Sequence, residues 1–171
     1  MTTWSSAFAQ QAKSDLDARE WLLQKQQLPR CHELHFLQMA CEKVCKAHLM
    51  TRSGADPLSL QKSHAYVAKN LPVIAKQYFA QQAEHLPKHG HLIRSIRAIA
   101  EKIERLAPAN DVGGTAPSNC EYPWIGPSGK IIIPAEHNFD LTLLYEKAGV
   151  TLLKLLRIAA ERLSRSPAPP P

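Results

Sequence analysis

A chain of 171 residues with 44% hydrophobic and 21% charged side chains can bury one core without disulfide or metal staples, and is too apolar to stay disordered. Its 21 Lys and Arg against 15 Asp and Glu leave a net charge of +6 and a pI near 9.3, which points to an anionic partner such as RNA, DNA or a nucleotide, or else to a basic surface that only keeps the protein soluble. No stretch approaches the roughly 20 unbroken apolar residues of a spanning helix, MTTWSS lacks the regions of a secretory signal, and the four cysteines form no disulfide framework, so a cytoplasmic protein that stays out of membranes is expected.

Ser5 or Ser6 can cap a first helix reaching about Leu28, where Pro29 follows. Phe8, Ala12, Leu16, the stem of Arg19, Leu22 and Leu23 form its inner face. Leu34 to Leu49 is the organising stretch: Leu34, Leu37, Cys41, Val44, Cys45, His48 and Leu49 recur at steps of three and four, the period of one helix face. Gln38, Glu42, Lys43 and Lys46 fall mostly between them, with Glu42 and Lys46 as a favourable i,i+4 pair. The short link Pro29–His32 makes these two helices antiparallel neighbours.

Thr51 to Pro57 reads as a loop, and Leu58 to Leu71 predicts a third helix, with Pro72 kinking it or opening the next piece. Val73 to His85 continues helically before Pro87 and Gly90 break the chain. Leu92 to Leu106 then gives an amphipathic helix that stops at Pro108. Residues 107–137 are rich in Gly and Pro, with Tyr122–Ile125 and Lys130–Ile133 flanking Gly126-Pro-Ser-Gly129 as a small hairpin. Asn138 or Asp140 can cap a last helix, about Leu141 to Arg165, whose apolar residues cover more than one stripe and so predict a central place. The expected architecture is all-α, an antiparallel bundle of about five helices in one domain, 1–165, with a β-hairpin insertion before the last helix and a proline-rich disordered tail, 166–171.

Ala12-Lys-Ser-Asp15-Leu16-Asp-Ala18-Arg19-Glu-Trp-Leu22-Leu23, Gln38-Met-Ala40-Cys-Glu42-Lys43-Val-Cys-Lys46-Ala47-His-Leu49 and Lys62-Ser63-His64 resemble the packing motifs of HEPN domains, the higher eukaryote and prokaryote nucleotide-binding bundles. Helices of that family read A..DL..A..LL, QAAEKALKALL and K-(S or T)-H. The resemblance covers the first three helices well and the last loosely, and the hairpin is not part of it. It implies an antiparallel, usually dimeric bundle. Some members are ribonucleases, often toxins neutralised by a nucleotidyltransferase partner; others are non-catalytic and bind nucleotides or proteins. The nucleases carry an Arg followed a few residues on by a His. Here the match is Arg30-Cys-His-Glu-Leu-His35, at the start of the second helix instead of late in the core.

Several side chains are candidates for chemistry. Cys41, Cys45 and His48 share a helix face and have metal-ligand character, but the resemblance places Ala and Leu at the two Cys positions and free Cys is commonly buried, so core packing is expected and no metal or cofactor. His85, His89 and His91 cluster beside Lys88 in what reads as a solvated loop. Arg97, Glu101 and Arg105 read as a self-paired ladder, leaving Lys88 and Arg94 as the candidates for a phosphate contact. His64 can cap the third helix, stack, or line the bundle groove, and Tyr122, Trp124, Glu136 and His137 either pin the hairpin loop or line a pocket where a base stacks or an acid–base pair works. The expectation is a HEPN-like, non-catalytic binding protein for a nucleotide, RNA or a nucleotidyltransferase partner, homodimeric and part of a toxin–antitoxin or defence module, with His64, Lys88, Arg94, Tyr122, Trp124 and His137 as binding residues. The alternative is a metal-independent ribonuclease, in which Arg30 stabilises the phosphate charge and His35 is the general base.

Overall fold

Thr3 caps α1 (Trp4–Gln24) through a capping box: Thr3 Oγ1 accepts from Ser6 N at 3.1 Å, and Ser6 Oγ accepts from Thr3 N at 3.0 Å. The helix therefore begins earlier than a Ser5 or Ser6 cap would place it, because Ser6 acts as the reciprocal partner within the first turn. The structure is a computed structural model that describes residues 2–25, 27–53, 55–81, 86–108 and 119–165. α2 (Arg30–Ser53) runs antiparallel to α1, and three contacts fix the register. Ser5 Oγ donates to Ala47 O at 3.0 Å, Lys43 Nζ lies 2.7 Å from Asp15 Oδ2, and Arg19 lies 3.2 Å from Glu33 Oε2.

The third helix of the sequence divides at Ser63–Tyr66 and not at Pro72. α3 (Pro57–Lys62) is capped by Asp56 with proline in its first turn, and ends where Ser63 turns extended. α4 (Val67–Gln81) then starts on a cap that comes from far along the chain: the Glu104 carboxylate accepts from Ala68 N at 2.9 Å. Pro72 is buried inside α4, at the cost of one intrahelical hydrogen bond. α5 (Leu86–Glu104) also departs from expectation. Pro87 falls in its first turn, where a proline costs no hydrogen bond, and the helix runs straight through Gly90. His85 lies outside the described residues.

β1 (Trp124–Ile125) and β2 (Ile131–Ile132) pair antiparallel, Trp124 opposite Ile132 and Ile125 opposite Ile131. Gly126 N donates to Lys130 O at 2.8 Å, and Gly129 turns the chain with a left-handed φ of 76°. Short 3-10 turns at Pro134–Glu136 and Thr142–Tyr145 delay α6 (Lys147–Arg165) beyond the expected start at Leu141. A methyl group at Gly149 would collide with the backbone of Leu143 and Leu144, so this glycine lets α6 seat on the turn before it.

The described residues thus form an all-α bundle of six helices with a two-stranded hairpin before the last. α1 and α2 make one helical hairpin and α4 and α5 another; α6 packs on α1 and also touches α2, α4 and α5. The central helix is α2, not α6. Leu34, Leu37, Ala40, Cys41, Val44, Cys45 and Ala47 are buried, and so are the polar Glu33, Gln38, Glu42 and Lys46. α6 keeps Val150, Lys154, Glu161 and Arg162 in solvent and buries one stripe through Ala148, Leu152, Leu155, Leu156 and Ala160. No helix among the described residues is long and apolar enough to cross a membrane.

All four cysteines are buried free thiols. Burial pushes the Cys41 thiol up to about 12 despite the Arg19 charge nearby, and pushes Cys45 well up, helped by Cys41 once that thiol ionises and by the negative charges of Glu104 and Glu42. Burial likewise raises Cys31 and Cys120. Since only the thiolate reacts, the native protein should resist a thiol reagent at neutral pH and titrate four groups only once unfolded. A thiol consumed as fast as free cysteine in the folded protein would contradict this packing.

Candidate functional site

Two polar features stand out against this framework, one inside the bundle and one on its surface. The inner one is a seam along α2. Lys46 Nζ donates to Glu42 Oε1, Gln38 Nε2 donates to Glu42 Oε2 at 3.0 Å, and His64 Nδ1 stands 2.9 Å from the same Oε2. With Glu42 ionised, the proton of His64 belongs on Nδ1. One turn back, Asp15 joins Lys43 and accepts from Gln11 Nε2 at 3.1 Å, while Arg19 and Arg30 both turn to Glu33. Ala12–Leu23 therefore meets α2 through Asp15 and Lys43, and Lys62–His64 meets it through His64 and Glu42. His64 is the half-exposed member of its set; Glu42 and Lys46 are 4% and 3% exposed. Burial favours a neutral Glu42, but donation from Lys46 and His64, the Lys46 charge and Gln38 outweigh it and hold the carboxyl below its ordinary value.

The surface feature lies on α5. Its buried side, Ile96, Ile99, Ala100 and Ile103, faces the core, and that period leaves Arg94, Arg97, Glu101 and Arg105 in solvent on the opposite face. Arg94, Arg97 and Arg105 form no side-chain hydrogen bond or ion pair among the described residues, so the ladder is not self-paired. From Arg94 to Arg105 the row covers about 16 Å at the helical rise. His91 extends it by one turn as an exposed residue. Lys88 lies in the first turn of the same helix, and its side chain is outside the described residues.

At the C-terminal end of the row is a hollow of 370 Å³ between α5 and the segment after the hairpin, lined by Lys102, Arg105, His137, Asn138 and Phe139 among others. Lys102 Nζ donates to Asp140 Oδ2 at 2.8 Å and to Asp140 O at 3.1 Å, which ties the segment down and lowers the pKa of the Asp140 carboxyl. The hairpin is seated from the other side by buried Asn119, whose Oδ1 accepts from Glu121 N and Tyr122 N, and by Cys120 N donating to Leu106 O at 3.1 Å. Trp124 is buried edge-on to His137, centroids 5.0 Å apart, and His137 is edge-on to Phe139 at 4.7 Å. Tyr122 stands in solvent.

The candidate residues are thus distributed as follows. Trp124 and His137 touch, and His137 lines the hollow where Arg105 ends the row. Arg94 heads that row about three turns away. His64 sits elsewhere, on Glu42 in the link between α3 and α4. Arg30 and His35 have different neighbours: Arg30 holds Glu33 at 3.4 Å and Tyr145 Oη at 3.3 Å, whereas His35 Nδ1 is 3.5 Å from Glu121. Reasoning from sequence missed Arg97, Arg105 and Asn138, because the i,i+4 spacing of Arg97, Glu101 and Arg105 reads as mutual pairing. The signal available was their common face, shared with Arg94.

No protein-family model, curated protein or solved structure matches the chain. Fold and surface together define its class as a helical bundle with a cationic row on one helix.

Proposed function

We propose that this chain is a HEPN-like, non-catalytic binding protein whose ligand carries phosphates, an RNA strand or a nucleotide, held on the outer face of α5 and in the hollow at its end. The observation that carries this reading is the row of Arg94, Arg97 and Arg105, three guanidiniums without side-chain partners among the described residues. Guanidinium groups match phosphate oxygens bidentately. His137 and Asn138 add imidazole and amide groups beside Arg105, suited to a sugar or base edge. The net charge of +6 favours the same ligands. The meeting of Asp15 with Lys43, and of Glu42 with Lys46 and His64, supports the HEPN likeness by giving the residues of its motifs a shared packing role. The engagement of Arg30 by Glu33 and Tyr145 favours binding over cleavage.

Anisotropy of a labelled single-stranded RNA, followed from low to high salt in EDTA, tests the reading. The native protein should lose affinity steeply as salt rises, and replacing Arg94, Arg97 and Arg105 together by Ala should flatten the log–log slope by about 2, near 0.7 per phosphate contact. No affinity at low salt, or an unchanged slope in the triple variant, would refute it. Cleavage lost in both Arg30→Ala and His35→Ala would put the ribonuclease in its place.

A further inference from the structure

At the corner where α1 turns into α2, apolar side chains stand in solvent that a lone bundle has no reason to expose. Trp21 is 56% exposed and Tyr145 62%, with Leu23 and Leu28 also open. Two cations lie on the two aromatics: Lys25 Nζ is 5.3 Å from the Trp21 ring centroid, and the Arg30 guanidinium is 5.3 Å from that of Tyr145. Two hollows adjoin, one of 150 Å³ reaching Arg30 and Tyr145 and one of 550 Å³ against Trp21, and Lys25 and Leu28 line both. Exposed Trp, Tyr and Arg around apolar hollows have the composition of an interface hot spot, not of ordinary surface.

The charge at this corner indicates what covers it. Nearby acids are already engaged: Asp17 and Glu20 by Arg157, and Glu33 by Arg19 and Arg30. Glu146, next to Tyr145, stands in solvent with Lys147 after it, one charge of each sign. Two cations, Arg19 and Arg30, share the single Glu33 carboxylate, so that group keeps one positive charge, and the corner presents it at Arg30 beside the exposed Lys25. We propose that it is the docking surface for an acidic segment of a partner protein, which sets two apolar anchors into the hollows and its carboxylates on Lys25 and Arg30. This surface is separate from the α5 row and does not depend on the reading of that row.

The probe is a labelled 18-residue amphipathic peptide with leucines on one face and glutamates on the other, titrated into the full chain by anisotropy. Two further peptides serve as controls, one with the glutamates changed to lysine and one with the leucines changed to serine. Only the glutamate–leucine peptide should bind, and Trp21→Ala and Lys25→Glu, both solvent-facing, should each weaken it by at least about tenfold. Thermal unfolding of both variants checks that the fold is kept, and RNA binding in Lys25→Glu should stay within about twofold. Equal binding of all three peptides would mean charge or grease alone and overturns the proposal. So would no binding of the first, or indifference to Trp21→Ala. Self-association in sedimentation that Trp21→Ala abolishes would assign the corner to a second copy of this chain, and overturns it too.

Discussion

Glu42→Ala is expected to lower the stability of this protein by about 3–5 kcal/mol, a fall of roughly 6–20 °C in the melting midpoint for a chain of this size. Alanine itself suits a helix, so propensity predicts a small gain. It loses to what remains behind: Lys46, 3% exposed, keeps a charge with no carboxylate, and Gln38 and His64 lose their acceptor. The intact pair is not itself a large source of stability, since two charges were desolvated to form it. Glu42→Leu combined with Lys46→Met should therefore recover most of the loss, to within about 1.5 kcal/mol of the native chain. Denaturant unfolding of the two singles and the double measures the coupling directly. The same carboxylate sets a pH dependence. Its folded pKa lies below the unfolded one, so its contribution is complete above the ordinary glutamate value of about 4.3 and is lost as pH falls through the folded value. As pH falls from the ordinary glutamate range through the lowered folded value, the native chain should lose this part of its stability, and a Glu42→Gln chain should not. A single alanine variant as stable as the native chain would mean that Lys46 is not buried.

The sequence conveyed the fold better than the surface, for identifiable reasons. The apolar period of Leu34 to Leu49 and the turn chemistry of Gly126–Gly129 are local signals, and the structure has a helix and a hairpin at those places. The polar residues of α2 misled because an i,i+4 Glu–Lys pair looks the same whether water or a neighbouring helix lies beyond it. What buries Glu42 and Lys46 is coverage of α2 by α1, α4, α5 and α6, which no local window contains. The break at Ser63–Tyr66 was hidden likewise, since the group that caps α4 is Glu104 on another helix. Pro87 was read as a stop although a first helical turn tolerates it equally well. On the surface, Arg94 stood out for want of a helical partner, whereas Arg97 and Arg105 were masked by Glu101 between them, which pairs with neither. The apolar corner at Trp21, Leu23 and Leu28 was assigned in part to the inner face of α1. The helix ends at Gln24, and its last turn leaves Leu23 and Trp21 in solvent.

Trp124→Ala decides which of two roles the hairpin aromatics play. If the ring is an anchor, its removal should cost about 3–5 kcal/mol, because a large buried side chain is lost and a cavity is left between His137, Phe139 and the end of α5. The loss should appear in global unfolding and not only as a loosened hairpin, since Trp124 and Phe139 belong to the same apolar cluster as Ile103 and Leu106. Trp124→Phe, which keeps most of the volume, should recover more than half of it. Tyr122 supplies the contrast two residues away: the residue is 60% exposed, so Tyr122→Ala should leave stability within about 0.5 kcal/mol. A base stacked on that ring would make Tyr122→Ala weaken RNA binding by about 1–3 kcal/mol while the fold is unchanged. Calorimetric melts of the three variants, read beside RNA anisotropy, separate the roles. Were Trp124→Ala to melt with the native chain yet bind RNA far more weakly, the tryptophan would be the ligand's platform, and the hairpin would have to open to present it.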